Sequence, residues 1–600
     1  MKTPPALFKP AGKAMNLPPF NRFQFIRIIA ILMVVSILIQ MVRIQTSASA
    51  QELPGLSSQY EYRTIYPERG NIYDRWGNLL AGNKEVYEIG VSLNEMQNQE
   101  TVLTTIAGLT GADYMKMQTR IEEAKAGGVI RYVVLTDFVT PDVVAQIEKK
   151  MKEYQNLPAP RKGQVNPSLE GVYWQGHLIR SYPENELAAN VLGYYPYRNR
   201  DEATGVYGVE QYYNSLLAGV PQQIQIARDP NRVENIPSVP PGSSLVLTID
   251  REIQSAMETL IDQAVEANGA ESGTILVMDP RSGEFLALAT QPRMNLNNYW
   301  EILDVYPGAT PFNRIVSQTF EPGSTFKVLT MAAALDSNTV EPETEFFDNG
   351  YIEVGGYYIY NWDRGAWGWQ TMTGCMQHSL NVCLSWVATE TGADVFYNYM
   401  NRFGIGHRTN IDLAGEALFP LSVPGDQYWA DVNLATNSFG QGVAVTPIQL
   451  ITAVSAIAND GKIMAPHILK SYIQDGIQHN IDPMVISQPV TTETAHTLTE
   501  MLAISLEEEA SNALVEGYRV AGKTGTGEIP NETGYSDMTN ASFIGWGPVD
   551  DPKFVVYVWL EKPTSNPYGS VVAAPVFKEA VEKIVMLMDI PPDAVRNALK

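Results

Sequence analysis

The segment GTILVMDPRSGEFLALAT, residues Gly273–Thr290, consists of two apolar runs separated by a turn sequence. Short apolar runs interrupted by Pro280–Gly283 predict two antiparallel strands joined by a hairpin. The segment ASFIGWGPVDDPKFVVYVWLEK, residues Ala541–Lys562, repeats this design near the end of the chain. Because long helical stretches lie between the two strand pairs, the sequence predicts an α+β domain whose antiparallel sheet is covered by helices.

The charge is distributed unevenly along the 600 residues. The formal net charge is -24, yet residues 1–50 hold six basic residues and no acidic one. An acidic body repels phosphate backbones, so we expect no nucleic-acid partner. The six His and two Cys residues show no metal-ligand spacing, so we expect no metal and no cofactor.

One segment, IRIIAILMVVSILIQMV (Ile26–Val42), is strongly apolar. Counted over 23–44, it is long enough to span a bilayer once. More basic residues precede it than follow it, which places the N-terminus in the cytoplasm and the remaining chain outside. The small residues Ala48–Ala50 leave a cleaved signal peptide as an alternative. An uncleaved anchor is favoured, because the basic leader is long and Arg43 lies just before that site.

A Pro-rich, polar stretch at Arg228–Ser244 predicts a domain boundary. Before it, strand-like and helical patterns alternate, which indicates a mixed α+β outer region without a catalytic constellation. The predicted divisions are a cytoplasmic tail (1–22), a membrane anchor (23–44), a non-catalytic region (45–235) with a helical insert (about 98–165), and a catalytic domain (236–600).

Three short motifs follow one another in the second half of the chain. FEPGSTFKVLT (Phe320–Thr330) places Ser324 three residues before Lys327, at the start of a helical run. Alone, this pattern is more often a helix-capping serine than a nucleophile. HSLN then supplies Ser379 and Asn381, and KTGT supplies Lys523–Thr526. In this order, the three match the active-site set of class A β-lactamases and penicillin-binding proteins.

The first motif fits a serine nucleophile with a lysine base. Ser324 and Lys327, at i and i+3, share one helix face. Burial and a second cation, Lys523, would both favour a neutral Lys327 able to take the serine proton. Lys523 would also attract a substrate carboxylate. The backbone N–H groups of Ser324 and Thr526 are predicted to form an oxyanion hole.

The other two motifs fit proton transfer and substrate binding. The Ser379 hydroxyl both donates and accepts, so it could relay a proton between lysine and leaving group. The Asn381 amide could hold Lys327 and a substrate amide. Thr524 and Thr526 could donate to a substrate carboxylate, and Gly525 would let a substrate strand lie close to the backbone.

The two cysteines, Cys375 and Cys383, bracket the second motif. On one continuous helix they would lie about 12 Å apart, too far for a disulfide. We therefore expect buried free thiols, although a turn between them would permit a bond. His378 adjoins Ser379 and is expected to have a packing or surface role.

With these motifs, the chain resembles a class B penicillin-binding protein, a monofunctional peptidoglycan D,D-transpeptidase. The resemblance rests on the three motifs and on further stretches along the chain. These are RGNIYDRWGNLLA (Arg69–Ala81), GVYGVEQYYNSLLAG (Gly205–Gly219), VSQTFEPGSTFK (Val316–Lys327), FGQGVAVTPIQL (Phe439–Leu450) and AGKTGTGE (Ala521–Glu528).

The resemblance implies a membrane-anchored enzyme with an outer pedestal of the dimerisation type. Ser324 would attack the D-Ala-D-Ala end of a peptidoglycan stem peptide, and an amine from a neighbouring stem would resolve the acyl-enzyme. β-Lactams would acylate the same serine, and a SEDS-type glycan polymerase would be the partner. The alternatives are a β-lactamase or D,D-carboxypeptidase of the same fold, and a catalytically idle penicillin-binding scaffold or sensor.

Overall fold

The computed structural model describes residues 22–46, 60–128, 132–161, 163, 165–196, 203–227, 239–509, 511–531 and 534–599. Three segments singled out in the sequence lie outside these residues: the tail up to residue 21, the alternative cleavage site at 48–50, and 228–238 of the predicted boundary. The chain divides into two compact units, the smaller comprising 1–66 and 221–239 and the larger comprising 67–220 and 240–600.

The smaller unit contains the apolar segment. Helix Arg22–Thr46 includes Phe23–Arg43, which has a mean hydropathy of 2.6 and is exposed along its length. A helix of this length and composition can cross a bilayer. In the same unit, strands Tyr60–Ile65 and Gln222–Ala227 form an antiparallel pair.

The larger unit contains a seven-stranded sheet that joins early and late segments of the chain. In order across the sheet, its strands are Ile477–Asn480, Leu469–Gln474, Ser244–Leu247, Ile72–Tyr73, Leu79–Val91 and Val133–Val139, and Val172–Ser181 also pairs with Leu79–Val91. Ser244–Leu247 pairs in parallel with Ile72–Tyr73. This pairing joins sequence before the predicted domain boundary to sequence at its end.

Three helices pack near the far edge of this sheet: Gln99–Thr110, Tyr114–Ala126 and Pro141–Gln155. They occupy the region interpreted from the sequence as a helical insert. That interpretation omitted the strand Val133–Val139, which pairs antiparallel with Leu79–Val91. The sequence VVLTDFV lies between helices Tyr114–Ala126 and Pro141–Gln155, and its pairing with Leu79–Val91 identifies it as a strand.

A buried ion cluster joins two of the stretches that carried the family resemblance. The Glu210 carboxylate accepts hydrogen bonds from Arg69 Nε at 2.7 Å and from Arg180 Nε at 2.6 Å. Burial by itself raises the pKa of Glu210, but the charges of Arg180 and Arg69 outweigh it and hold that pKa below its ordinary value. The cluster therefore links Arg69–Ala81 to Gly205–Gly219 by charge as well as by packing.

The central sheet has five antiparallel strands, in the order Ala521–Asn531, Gly534–Gly547, Phe554–Glu561, Ser272–Met278 and Phe285–Gln291. Both strand pairs predicted from the sequence are confirmed. Side chains alternate between the two faces of a strand. Ile275 and Val277 pack with one core cluster, whereas Leu276 and Met278 pack with another.

Helices cover both faces of the central sheet, which explains the continuous apolar strands. Arg251–Asn268 and Ala574–Leu587 contribute to one core cluster, and Lys327–Asp336 contributes to the other. The predicted α+β class is confirmed. The other helices of the larger unit are Ala189–Leu192, Gly208–Tyr212, Asn214–Ala218, Ile302–Val305, Arg314–Ser317, Met372–Gln377, Asn381–Thr391, Ala393–Arg402, Asp431–Asn437, Pro447–Ser455, Thr492–Glu508, Gly569–Val572 and Asp593–Leu599.

Shorter elements complete the larger unit. The 3-10 turns are Leu296–Glu301 and Gly323–Phe326. Two-stranded sheets pair Glu345–Asp348 with Gly368–Thr371, Tyr351–Val354 with Tyr357–Tyr360, and Ile463–Met464 with Val485–Ser487.

Candidate active site

Ser324 lies in the 3-10 turn Gly323–Phe326, which runs directly into helix Lys327–Asp336. Residues three apart eclipse in a 3-10 turn, so the side chains of Ser324 and Lys327 emerge on one face. Gly323 has a φ of +57°, and a Cβ there would lie 2.6 Å from the Thr526 carbonyl oxygen. The turn therefore packs directly against the strand that carries the KTGT motif.

The Lys327 side chain is fully buried. Its Nζ donates to the Ser379 carbonyl at 2.7 Å and to Asn381 Oδ1 at 2.7 Å, and it lies 3.2 Å from Ser379 Oγ. Burial holds the pKa of Lys327 well below its ordinary 10.5, and the like charge of Lys523 lowers it further. A neutral Lys327 amine has a lone pair, so the Ser379 hydroxyl can donate to it.

The segment carrying Ser379 and Asn381 is a break between two helices. Met372–Gln377 ends just before it, and Asn381–Thr391 begins the next helix. Ser379 itself has a φ of 54°, in the left-handed region. A non-glycine residue in this region interrupts a helix and turns the chain.

The expectation of free cysteines is wrong, because Cys375 and Cys383 form a disulfide across this break. Their Cα atoms lie 6.1 Å apart, about half the separation calculated for one continuous helix. The left-handed Ser379 folds the second helix back, which brings the two cysteines together. The bond encloses both Ser379 and Asn381.

Lys523 lies on Ala521–Asn531, the edge strand of the central sheet. Its side chain is 4% exposed, and its Nζ lies 3.4 Å from the backbone oxygen and the hydroxyl of Thr524. Burial lowers the pKa of Lys523 to about 8, against the attraction of Glu509, which acts in the opposite direction. Lys523 is thus a cation at neutral pH whose charge acts on Lys327.

Gly525 has a packing role in addition to the predicted approach of substrate. A Cβ at this position would lie 2.3 Å from Ser542 Oγ and 2.8 Å from Thr325 Cγ2. The glycine therefore lets the strand lie against the serine turn. Thr524 and Thr526 alternate with it and remain partly exposed, and Thr526 Oγ1 accepts a hydrogen bond from the Gly569 N–H at 3.2 Å.

Residues that the sequence analysis did not assign also shape the serine turn. The Gly323 N–H donates to the Gly440 carbonyl at 3.1 Å. The Glu321 carboxylate accepts from the Gly442 N–H at 3.0 Å and from the Tyr535 hydroxyl at 3.0 Å. Glu321 and Gly440 lie in two of the stretches that carried the family resemblance, Val316–Lys327 and Phe439–Leu450, but nothing in the sequence indicated that these stretches pack together.

The chain matches two known protein-family domains. The penicillin binding protein transpeptidase domain matches residues 273–582, and the penicillin-binding protein dimerisation domain matches residues 64–247. The chain belongs to the penicillin-binding protein transpeptidase family. The predicted family is thereby confirmed, and the dimerisation-domain match overlaps most of the predicted non-catalytic region (45–235).

Relatives of this penicillin-binding protein align over most of its length. Stage V sporulation protein D of Bacillus subtilis is 33% identical over 85% of this chain and 77% of its own length. Peptidoglycan D,D-transpeptidase FtsI of Escherichia coli is 29% identical, covering 89% of this chain and 86% of its own.

Solved structures share the fold. Penicillin Binding Protein 2X from Streptococcus thermophilus superposes with a TM-score of 0.73 at 22% identity, over 88% of this chain and 80% of that one. Penicillin binding protein 3 of Mycobacterium tuberculosis, solved in complex with ampicillin, gives a TM-score of 0.65 at 24% identity, over 88% and 97%. At these identities the likeness concerns the fold alone.

Proposed function

We propose that this penicillin-binding protein is a peptidoglycan D,D-transpeptidase that forms an acyl-enzyme on Ser324. One observation carries the proposal: the buried Lys327 amine contacts both Ser379 and Asn381, on the helix face that Ser324 shares. Lysine is a poor base when exposed, and burial beside a second cation is what makes it neutral and basic. The names of the relatives, peptidoglycan D,D-transpeptidases among them, supply the substrate class.

In the acylation step, Ser324 Oγ attacks the carbonyl of the penultimate D-Ala of a stem peptide. Lys327 takes the hydroxyl proton, a C–O bond forms, and the backbone N–H groups of Ser324 and Thr526 stabilise the oxyanion. The C–N bond to the terminal D-Ala then breaks. The proton passes from Lys327 through the Ser379 hydroxyl to the leaving amine nitrogen, so that the terminal D-Ala leaves as a neutral amine.

The terminal carboxylate of the donor would bind at the edge strand. The Thr526 hydroxyl already accepts from a backbone N–H, so its own hydrogen is available for a carboxylate oxygen. Thr524 would donate a second hydrogen bond, and the buried ammonium of Lys523 would attract the charge. The Asn381 amide would hold Lys327 through its oxygen and a substrate amide through its nitrogen.

An amine from a neighbouring stem would complete the cycle. Its nitrogen attacks the Ser324 ester, a C–N bond forms, the C–O bond to Ser324 breaks, and a proton returns to Oγ. A β-lactam would acylate Ser324 in the same way. A β-lactamase or D,D-carboxypeptidase would use water instead, and a scaffold would need no reaction at Ser324.

The cellular setting is part of the same proposal. Helix Phe23–Arg43 would anchor the protein in the membrane once, with the N-terminus in the cytoplasm, because basic residues are concentrated before its apolar part. Residues 45–235 would form the pedestal and 236–600 the transpeptidase domain. A SEDS-type glycan polymerase would be the partner in the membrane.

The test is intact-mass spectrometry of the full chain after incubation with penicillin, followed by peptide mapping. We expect one long-lived adduct on Ser324, absent from Ser324→Ala and present in Ser337→Ala, a serine at the other end of the same helix. An adduct cleared within seconds would favour a β-lactamase. A wild-type protein that forms the adduct but does not crosslink stem peptides would favour a scaffold.

A further inference from the structure

The end of helix Thr492–Glu508 lies beside the candidate active site. The helix packs against strand Ala521–Asn531, which carries Lys523, and against helix Met372–Gln377. Its last turn contains no basic residue, and the chain reads Glu507–Glu509 there. A helix C-terminus already carries partial negative charge and favours cations. Three carboxylates at this position therefore make the helix end acidic, and Arg519 compensates the charge of Glu507.

Local partners hold two of these carboxylates in place. Glu507 forms an ion pair with Arg519 at 2.6 Å. Glu509 Oε1 lies 3.1 Å from His378 Nδ1, and the His378 ring stacks on Trp367 with centroids 4.3 Å apart. The stacked indole fixes the plane of the His378 imidazole. Because the Glu509 carboxylate contacts this ring, it lies beside the residue that immediately precedes Ser379.

The Glu509 carboxylate is accessible to solvent, and its charge acts on Lys523. Its side chain is 45% exposed, compared with 23% for His378, so a solute can reach it. Its charge opposes the burial that lowers the pKa of Lys523. The cationic groups of the site are the amines of Lys327 and Lys523 when protonated. The Glu321 carboxylate is already hydrogen-bonded to the Gly442 N–H and the Tyr535 hydroxyl. Glu509 is thus an exposed counter-charge that a positively charged substrate group would meet.

We propose that Glu509, positioned by His378, is the subsite that receives the acceptor amine of the proposed transpeptidation. A primary amine is mostly an ammonium at neutral pH, and the nearby ammonium of Lys523 would repel it. Glu509 offsets that repulsion. The ammonium must give up one proton before it attacks, and the His378–Glu509 pair would receive it; the second proton returns to Ser324 Oγ as the ester bond breaks.

The test uses the full-length protein, an acyl-D-alanine thioester donor and two acceptors. Nα-acetyl-lysine amide carries an ammonium, whereas hydroxylamine is uncharged at pH 7. Glu509→Gln is expected to raise KM for the lysine acceptor about tenfold. The rate of penicillin acylation should change much less than this, because Glu509 reaches Ser324 only through its charge on Lys523, and product formation with hydroxylamine should change no more than acylation does. Glu508→Gln is the matched control, because it removes the same charge from the same helix end.

The outcomes separate this subsite from the proposed function on which it rests. Equal acceptor KM values in the wild type, Glu509→Gln and Glu508→Gln, with normal donor turnover, would overturn the subsite alone. Absence of donor turnover in the wild type would contradict both. His378→Asn should raise the acceptor KM several-fold at constant penicillin acylation; a slower acylation would instead indicate a structural role for His378.

Discussion

Replacing Lys523 with Met removes a buried cation whose contribution to stability can be calculated. The pKa of Lys523 falls from its ordinary 10.5 to about 8 because of burial. One pKa unit corresponds to about 1.4 kcal/mol, so the charged lysine destabilises the folded protein by about 3 kcal/mol relative to the unfolded chain. Met has a similar length and carries no charge to desolvate.

The sign of the pH dependence follows from proton binding. Between pH 8 and 10.5 the unfolded chain binds more protons at this lysine than the folded protein does. The free energy of unfolding of the wild type therefore rises with pH across that window. Below pH 8 the full penalty is present. We expect Lys523→Met to be about 3 kcal/mol more stable at pH 7 and to lose this advantage as pH approaches 10.5.

Guanidinium unfolding of the detergent-solubilised full chain, followed by tryptophan fluorescence, measures the effect. Trp546 and Trp559 are fully buried in the central sheet and report on its unfolding. The matched control is Lys583→Met, on the exposed face of a helix, where we expect a change within about 0.5 kcal/mol. Penicillin acylation by Lys523→Met should slow, because the pKa of Lys327 rises when the second cation is removed.

Two results would refute this reasoning. A Lys523→Met variant no more stable than the wild type at pH 7 would mean that the ammonium is not desolvated in the folded protein. A stability difference that stays constant from pH 7 to 10 would mean that Lys523 does not titrate near pH 8.

Three further predictions concern other contacts. Asn381→Ala removes the oxygen that accepts from Lys327 at 2.7 Å, and we expect stopped-flow penicillin acylation to slow about 10- to 100-fold. Replacing Cys375 and Cys383 together with Ala opens a loop of sequence separation 8 and should lower stability in thermal unfolding by about 2–3 kcal/mol. Glu210→Gln leaves two buried arginines without their counter-charge, so guanidinium unfolding should show a loss of about 3–5 kcal/mol. An unchanged value in any measurement would contradict the contact concerned.

The sequence predicted four of the five strands described in the central sheet, because strands buried on both faces are largely apolar. Ser272–Met278 and Phe554–Glu561 are such strands. The strand Val133–Val139 was missed, since an edge strand next to helices has no distinctive pattern of its own. The pairing of Leu469–Gln474 with Ser244–Leu247 joins segments that are distant along the chain. The local sequence of either strand does not predict its partner.

The disulfide shows the same limit at the site. The spacing of Cys375 and Cys383 excludes a disulfide only where one helix continues between them. The left-handed conformation of Ser379 arises where the two helices pack into the domain. Propensity does not predict a serine in that region, because the conformation is unfavourable for any residue with a Cβ.

The sequence by itself determined the chemical groups and the local geometry of the first motif, because Ser324 and Lys327 are separated by less than one helical turn. Only the tertiary structure decided the state of that lysine. Its low pKa depends on burial and on Lys523, which comes from a distant strand. Desolvation and charge repulsion act through space, so they exist only once the chain has folded.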